Sequence, residues 1–323
     1  IPLVRVVELL IGSVFVSGLY LSKKSFWQLP KQLIPAPMER RVDLRFLLTT
    51  LPIILIIVIV VVIVDWRVAK NAAQDLIESK LAATTEVASG SLPYFFESGR
   101  NLITNISKKD LMTPDINLNM LLSEEIRETI FFNSLYVYDQ NGALIGGYPE
   151  GDENSFSLSP EERTGIDLAL QGVHFQIYTT RAGTGHFDIM LTFMSTITAT
   201  DSSPIGVVIG RTDFYSNPYV QPAITTLNNF SLSGGEGFIV DDQRRIVYYT
   251  GQNQQLLLNE YPQELPLEQR GVTGKKPDGS NQIYYAQPVT GSAWVTVAAL
   301  PTFLEKELAL KIAAPLMGVL GIV

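Results

Sequence analysis

The sequence predicts an α+β fold: a long N-terminal helix, then two tandem modules built on antiparallel sheets, the whole flanked by transmembrane helices. Three observations predict it. Residues 46–64, "FLLTTLPIILIIVIVVVIV", form an uncharged run of 19 residues. From Phe131 the apolar spacing changes from that of a helix to a period of two. The strand–turn–strand pattern "LYVYDQNGALIGG" then returns as "GFIVDDQRRIVYY", which marks a repeated unit.

Composition narrows the function classes. The chain has 323 residues, room for one or two domains of ordinary size. Charged residues make up only 17% against 46% hydrophobic, as expected when some segments face lipid. The absence of cysteine excludes disulfides, thiol catalysis and thiolate metal sites. Two histidines, His174 and His186, leave little for a His-rich metal cluster. A net charge of −8 argues against nucleic-acid binding, which needs clustered Lys and Arg. The chain begins at Ile and stops inside "APLMGVLGIV", so it reads as a piece of a longer protein.

The run at 46–64 matches the length of a bilayer core as helix and has no polar face at any period. Before it, residues 23–45 hold six basic and two acidic side chains; after it, residues 65–310 hold 16 basic and 29 acidic. The basic flank places 23–45 in the cytoplasm and the bulk of the chain outside. Residues 1–22 read as the end of a preceding span, or as an interfacial helix. Residues 306–323 read as the start of a return span, with Lys306 and Lys311 snorkelling at the outer surface.

Residues 65–130 read as a long exit helix and connector. Val68/Ala69, Ala72/Ala73, Leu76/Ile77 and Leu81 recur at helical spacing. That stripe packs on its own domain, pairs with a second copy, or does both at different heights. Pro93 marks a bend or break. Period-two segments at 135–138, 143–146, 174–180, 187–196 and 205–213 are the strands of a first module, 131–215. Turn signals "DQNG", "RAGTG" and "TDSSP" separate them. Between them "SLSPEERTGIDLALQG" is a helix with Ser159 as N-cap, Pro160 at its first position and Gly172 as stop. Strands at 237–240, 246–249, 282–287 and 294–300 form a second module, 216–305, entered through the connector "NPYVQPAITTLNNF". Laying Asp139 on Asp242 brings Gln140 onto Gln243 and Leu144 onto Val247.

Alternation also groups polar residues. Tyr136 and Tyr138 share one face of a strand, as do His174, Gln176 and Tyr178, and Arg211 and Asp213. A small-molecule pocket needs apolar walls and a few convergent polar groups, and these residues supply them. Asp213 would hold an amine or other cation, and Arg211 or Arg181 an anionic group. Alternatively, Arg211 and Asp213 pair with each other or lie on a solvated face, and the tyrosines are packing residues. The acidic stretches "PEGDEN" and "SPEER" are explained by solvation or helix capping. No nucleophile–base constellation, phosphate loop or metal motif is present.

These features together resemble the double Cache (PAS-like) sensor family, over about residues 64–313. The resemblance rests on the span, the exit helix, the "LYVYDQNGALIGG" hairpin, and "PIGVVIGRTDF", which places Asp213 on the family's ligand-facing Asp. "GFIVDDQRRIVYY" and "GSAWVTVAALP" match the membrane-proximal half, and "PTFLEKELAL" the helix that leaves it. The resemblance does not extend to the Arg-x-x-Trp-Tyr cluster of amino-acid-binding members, because "SPEERTGIDLALQGVHFQIY" has no Trp-Tyr pair. It implies a cell-membrane receptor whose extracytoplasmic part binds a small molecule in the distal module. That receptor would be homodimeric, with no cofactor, and would signal to an output domain such as a kinase, cyclase or phosphatase. Two rivals stand beside it: a membrane-anchored enzyme for which this region is scaffold, and an adhesion or structural domain that binds protein.

Overall fold

A computed structural model describes residues 42–113, 117–150, 157–181, 189–251, 253–261, 267, 272–275 and 280–320. The expected span at 1–22, most of the basic loop at 23–45, and His186 lie outside them. The chain divides into two compact units, Gln74–Lys306 and the remainder, Ile1–Ala73 with Glu307–Val323. Helix α1, Val42–Ser107, is 66 residues long and contributes to both.

In the smaller unit, α1 is the one helix among the described residues that is long and apolar enough to cross a membrane. Its apolar side chains are bare on several sides; Leu55, Ile56, Val60 and Ile63 are each more than half exposed. A buried core helix does not look like this, because its apolar surface is covered by neighbours. The other helix of this unit belongs to α5, Thr302–Leu320, which contains Pro315. Both helices bury an Ala-x-x-x-Ala step there, Ala69/Ala73 and Ala309/Ala313.

In the larger unit α1 buries Ile77, Leu81, Thr85, Ala88, Leu92, Phe95 and Ile103, each three or four residues from the last or two such steps away. The predicted stripe thus resolves into halves: Ile77 and Leu81 are buried, while Val68 and Leu76 are exposed. Pro93 does not break α1. A mid-helix Pro costs about 3 kcal/mol, and the adjoining Leu92, Phe95 and Phe96, all buried, offset it by packing.

A second helix, α2 (Leu118–Thr129), was not expected within the 65–130 connector. Asn117 caps it by accepting from Met120 N at 3.2 Å. Leu118, Leu122 and Ile126 supply its apolar side; Leu122 is fully buried.

The first sheet contains β1 (Ser134–Asp139), β2 (Leu144–Tyr148), β3 (Phe175–Arg181), β4 (Ile189–Thr198) and β5 (Pro204–Asp213), in the order β2-β1-β5-β4-β3. The second contains β6 (Glu236–Val240), β7 (Ile246–Tyr249), β8 (Val272–Lys275), β9 (Asn281–Pro288) and β10 (Val295–Pro301), in the order β7-β6-β10-β9-β8. The two orders are the same, all pairs are antiparallel, and the duplication is real. β8, an edge strand of sequence VTGK, lacks an alternating apolar signal and was missed.

The repeat register differs by one residue from the sequence alignment. Asp139 accepts from Asn141 N and Ala143 N, both at 2.8 Å, and Gly142 takes a positive φ of 75°. Asp241, not Asp242, does the same work: it accepts from Gln243 N at 3.0 Å and Arg245 N at 2.7 Å, with Arg244 at φ 63°. Each hairpin carries a register shift one residue before that Asp. The turn is built by a carboxylate gathering two backbone N–H groups, so its position outranks matched letters such as Gln140 and Gln243.

Helix α1 covers one face of the first sheet. Phe193 and Phe131 leave no room for a Cβ on Gly99, and Phe95 stacks on Phe131 at 5.2 Å and meets Phe193 edge-on at 5.7 Å. α1 also reaches the second sheet, where Thr296 Oγ1 donates to Thr85 O at 3.2 Å. The same face of that sheet takes α4 (Gln221–Ser231), the predicted connector, through Leu227 against Gly237 and Asn228 Oδ1 against the Tyr248 hydroxyl at 2.6 Å. A continuous apolar cluster joins the two modules, with Trp294 touching both Phe214 and Phe96.

Candidate functional site

The other face of the first sheet carries the polar groups that alternation had brought out. Its register sets them in rows. Ser134, Arg211, Thr192 and Tyr178 lie side by side; so do Tyr136, Ile209, Met194 and Gln176; and Tyr138 sits beside Val207, itself opposite Thr196. Asp213 begins the next row beyond Arg211, opposite Met190.

Helix α3 (Pro160–Leu170) lies across these rows. It starts as predicted: Ser159 accepts from Glu162 N at 3.1 Å, Glu162 returns the bond to Ser159 N at 2.8 Å, and Pro160 takes the first turn. Glu162 does more than cap. It is 1% exposed, receives Thr192 Oγ1 at 2.6 Å, and grips Arg211 through Nε at 2.8 Å and Nη2 at 2.7 Å. One turn on, Gln176 Nε2 donates to Gly165 O at 2.9 Å, and further along Thr196 Oγ1 donates to Ala169 O at 3.2 Å. A Cβ on Gly165 would stand 2.6 Å from the Tyr178 ring and 2.8 Å from Met194 sulfur, so glycine is what lets the helix seat this closely.

The alternative pairing of Arg211 with Asp213 therefore gives way to Arg211 with Glu162. The two share a strand face but lie along it, whereas Glu162 comes down from above. Arg211 also donates to Ser157 O at 2.9 Å and sits 5.3 Å over the Tyr136 ring. Burial works to lower its pKa, and the hydrogen bond and charge of Glu162 more than reverse this, holding the guanidinium firmly charged.

Tyr138 is 3% exposed, and its hydroxyl meets no hydrogen-bond partner among the described residues. Burial pushes its pKa up to about 12, against the opposing charge of Arg211 and with Glu162 and Tyr136 raising it further. Tyr178 donates its hydroxyl to the Gln176 side chain, and burial raises its pKa too. Around these polar groups Ile166, Ala169, Met194, Val207 and Ile209 form an apolar cluster separate from the main core.

The remaining expected residues fall elsewhere. Asp213 is half-buried at the sheet end, where its carboxylate accepts from Tyr215 N at 2.9 Å and its own N–H donates to Asn133 Oδ1 at 2.7 Å. A cleft of about 390 Å³ flanks this end, lined in part by Arg127, Asn133, Thr212 and Ser216. His174 is exposed just before β3, where its carbonyl accepts from Thr196 N at 3.1 Å. Arg181 has the opposite parity to Tyr178. It is exposed and reaches the second module, donating to Leu257 O at 3.3 Å, while Arg245 there reaches back to Thr179 O at 3.2 Å.

Glu162 was the residue that reading the sequence missed as part of this site. A signal existed: it shares a helical face with Ile166 and Ala169, at i+4 and i+7, while Glu161 does not.

Comparison with protein-family models and with curated protein sequences finds no match. Solved structures do match. The ligand-binding domain of the Pseudomonas aeruginosa amino acid chemoreceptor PctB, in complex with L-Arg, is 15% identical with a TM-score of 0.56, covering 74% of this chain and 93% of its own. That of the chemoreceptor PctC of the same organism, in complex with GABA, is 19% identical with a TM-score of 0.52, covering 69% and 99%. That of the Campylobacter jejuni chemoreceptor Tlp3, in complex with L-valine, is 14% identical with a TM-score of 0.52, covering 74% and 98%. At such identities the likeness is one of fold: a long N-terminal helix with two antiparallel sheets, the fold of a double Cache sensor domain.

Proposed function

We propose, taking that fold as the premise, that this chain is the sensing part of a membrane receptor, and that its first module binds a small molecule between α3 and the sheet. The observation that carries the reading is the Tyr138 hydroxyl: it is buried without a partner among the described residues, under α3 and on the sheet face that also carries the largely buried Arg211–Glu162 pair. A buried polar group left unpaired costs about 1–3 kcal/mol, and such a cost persists where a binding site is being kept ready. Tyr136, Tyr138, Gln176, Tyr178 and Arg211 are the proposed contacts, with Asp213 and His174 at the ends of the same face.

The apolar run at 46–64 crosses the membrane once, the larger unit lies outside, and α5 begins the return. Two copies associate through α1, whose Val68, Leu76 and Val87 are each more than half exposed. A ligand that prefers one seating of α3 over another shifts the equilibrium between them. The shift passes to the second module through Arg181 and Arg245, and from there to the helices. An output domain beyond this chain reads it.

One observation favours a second reading, a protein-binding or scaffold domain. The seat of α3 is tight, with Gly165 against Tyr178 and Met194. The two are separated by thermal unfolding of the full chain in lipid nanodiscs against a library of amino acids, amines, organic acids, amides and sugars. The sensor reading expects at least one compound to raise the melting temperature in a way that Arg211→Ala or Tyr138→Phe abolishes. A library without any such compound supports the scaffold. A periplasmic-only reporter fused after Pro149 that stays silent would reject the topology.

A further inference from the structure

We propose that the site under α3 takes an uncharged molecule bearing a hydrogen-bond acceptor, because Glu162 already occupies, as a built-in carboxylate, the place on Arg211 that an anionic ligand would need. This rests on the sensor reading and names the chemical class that the sensor admits.

The Glu162 carboxylate is fully served. Oε1 takes Thr192 Oγ1 and Arg211 Nε; Oε2 takes Arg211 Nη2 and Ser159 N. The Arg211–Glu162 contact is two-pronged, the geometry in which guanidinium and carboxylate bind most strongly. The side chains are 13% and 1% exposed, so the pair sits largely away from water and is neutral as a unit. A ligand carboxylate entering here meets two obstacles. It must approach Glu162 with like charge where water screens little. If instead it displaces Glu162, it strands that carboxylate without a partner in a buried place.

What the site still offers is donors. Arg211 uses Nε and Nη2, and its Nη1 donates to nothing among the described residues. The Tyr138 hydroxyl is also unspent. Both belong to the same sheet face, Tyr138 opposite Val207 and Arg211 four residues further along β5. A donor on this face, beside the apolar side chains of Ile166, Met194 and Ile209, fits a carbonyl, amide or hydroxyl oxygen carried on an apolar body.

The experiment compares sodium propionate with propionamide, two probes of one shape and different charge, on the full chain in lipid nanodiscs. Sodium chloride of equal ionic strength is the baseline. For the unaltered chain, propionamide raises the melting temperature and propionate matches the baseline. Glu162→Ala removes the built-in carboxylate and opens its space. In that variant propionate raises melting by about 3–6 °C at tenfold excess over its Kd, and adding Arg211→Met abolishes the gain. A variant that folds only with propionate present gives the same answer.

Two results overturn the inference: propionate stabilising the unaltered chain through Arg211, or propionate matching the baseline in a folded Glu162→Ala variant. If that variant folds under neither condition, the unaltered chain decides alone, and a larger effect of propionate than of propionamide refutes the proposal. If Glu162→Ala gains propionate binding while no neutral compound stabilises the unaltered chain, the built-in carboxylate stands and the sensor reading falls.

Discussion

Replacing Tyr138 by Phe should stabilise this protein, although the residue is almost wholly buried. The ring would stay where it is, between Leu144 on β2 and Val207 on β5. Only the hydroxyl leaves, and it has no partner among the described residues. Burying an unpaired hydroxyl costs about 1–3 kcal/mol, so its removal should return about 1 kcal/mol after the loss of its own packing. In a unit of this size each kcal/mol moves the melting temperature by about 2–4 °C. The assay is calorimetry of the full chain in nanodiscs, with Tyr248→Phe as the control. Tyr248 is just as buried, but its hydroxyl bonds Asn228 Oδ1 at 2.6 Å. Losing that bond should destabilise by about 0.5–1.5 kcal/mol. The two conservative changes are thus expected to move stability in opposite directions. If Tyr138→Phe lowers the melting temperature as much as Tyr248→Phe does, the Tyr138 hydroxyl is bonded and the reading of a site kept ready is refuted.

Other outcomes follow from the same geometry. Gly165→Ala should destabilise by about 1–3 kcal/mol, because its Cβ overpacks against Tyr178 and Met194; an unchanged denaturation midpoint would show that α3 is not seated this closely. Glu162→Ala, without added carboxylate, should cost about 3–5 kcal/mol by leaving Arg211 unpaired, while the double change Glu162→Leu with Arg211→Met should recover most of it; equal losses in urea titrations would place the cost elsewhere. Tyr138 and Tyr248 both have pKa values raised by burial from 10 to about 12. The folded state therefore holds two protons that the unfolded chain releases, so their contribution to stability is complete below pH 10 and lost between about 10 and 12. Phenolate absorbance should show these tyrosines ionising late, and ionisation of all 13 tyrosines near pH 10 in the folded protein would contradict their burial.

Much of the fold was legible because strands and helices impose different spacings on apolar residues. β7 lies where Ile246 and Tyr249 had bounded it, and α3 begins at its Ser-Pro cap. The elements that escaped lacked such a pattern or had a stronger neighbour. β8 is four residues containing Gly274, held by pairing with β9 rather than by an apolar face. α2 was hidden in a segment given over to the long helix. The repeat was placed one residue out because matching letters, Gln140 and Gln243, outweighed the turn. The turn depends on which carboxylate gathers the backbone N–H groups, and two adjacent aspartates leave that undecided.

The site shows the same division. Parity along a strand is a local property, so Tyr136 with Tyr138, His174 with Gln176 and Tyr178, and Arg211 with Asp213 were grouped from the sequence; Arg181, kept there as an alternative to Arg211, lies at the opposite parity on β3. Which charges meet is not local. A pairing of Arg211 with Asp213, two residues away on its own strand, is one alternative the sequence leaves open, whereas Arg211 binds Glu162, 49 residues earlier in the chain.

From the sequence alone came the repeated module, the apolar helix, and the residues able to share one face of the sheet, since each follows from spacing along a single segment. Tertiary structure alone decided which helix closes over that face and which carboxylate it brings, because a buried ion pair forms between groups that packing makes neighbours, and packing is set by the whole unit at once.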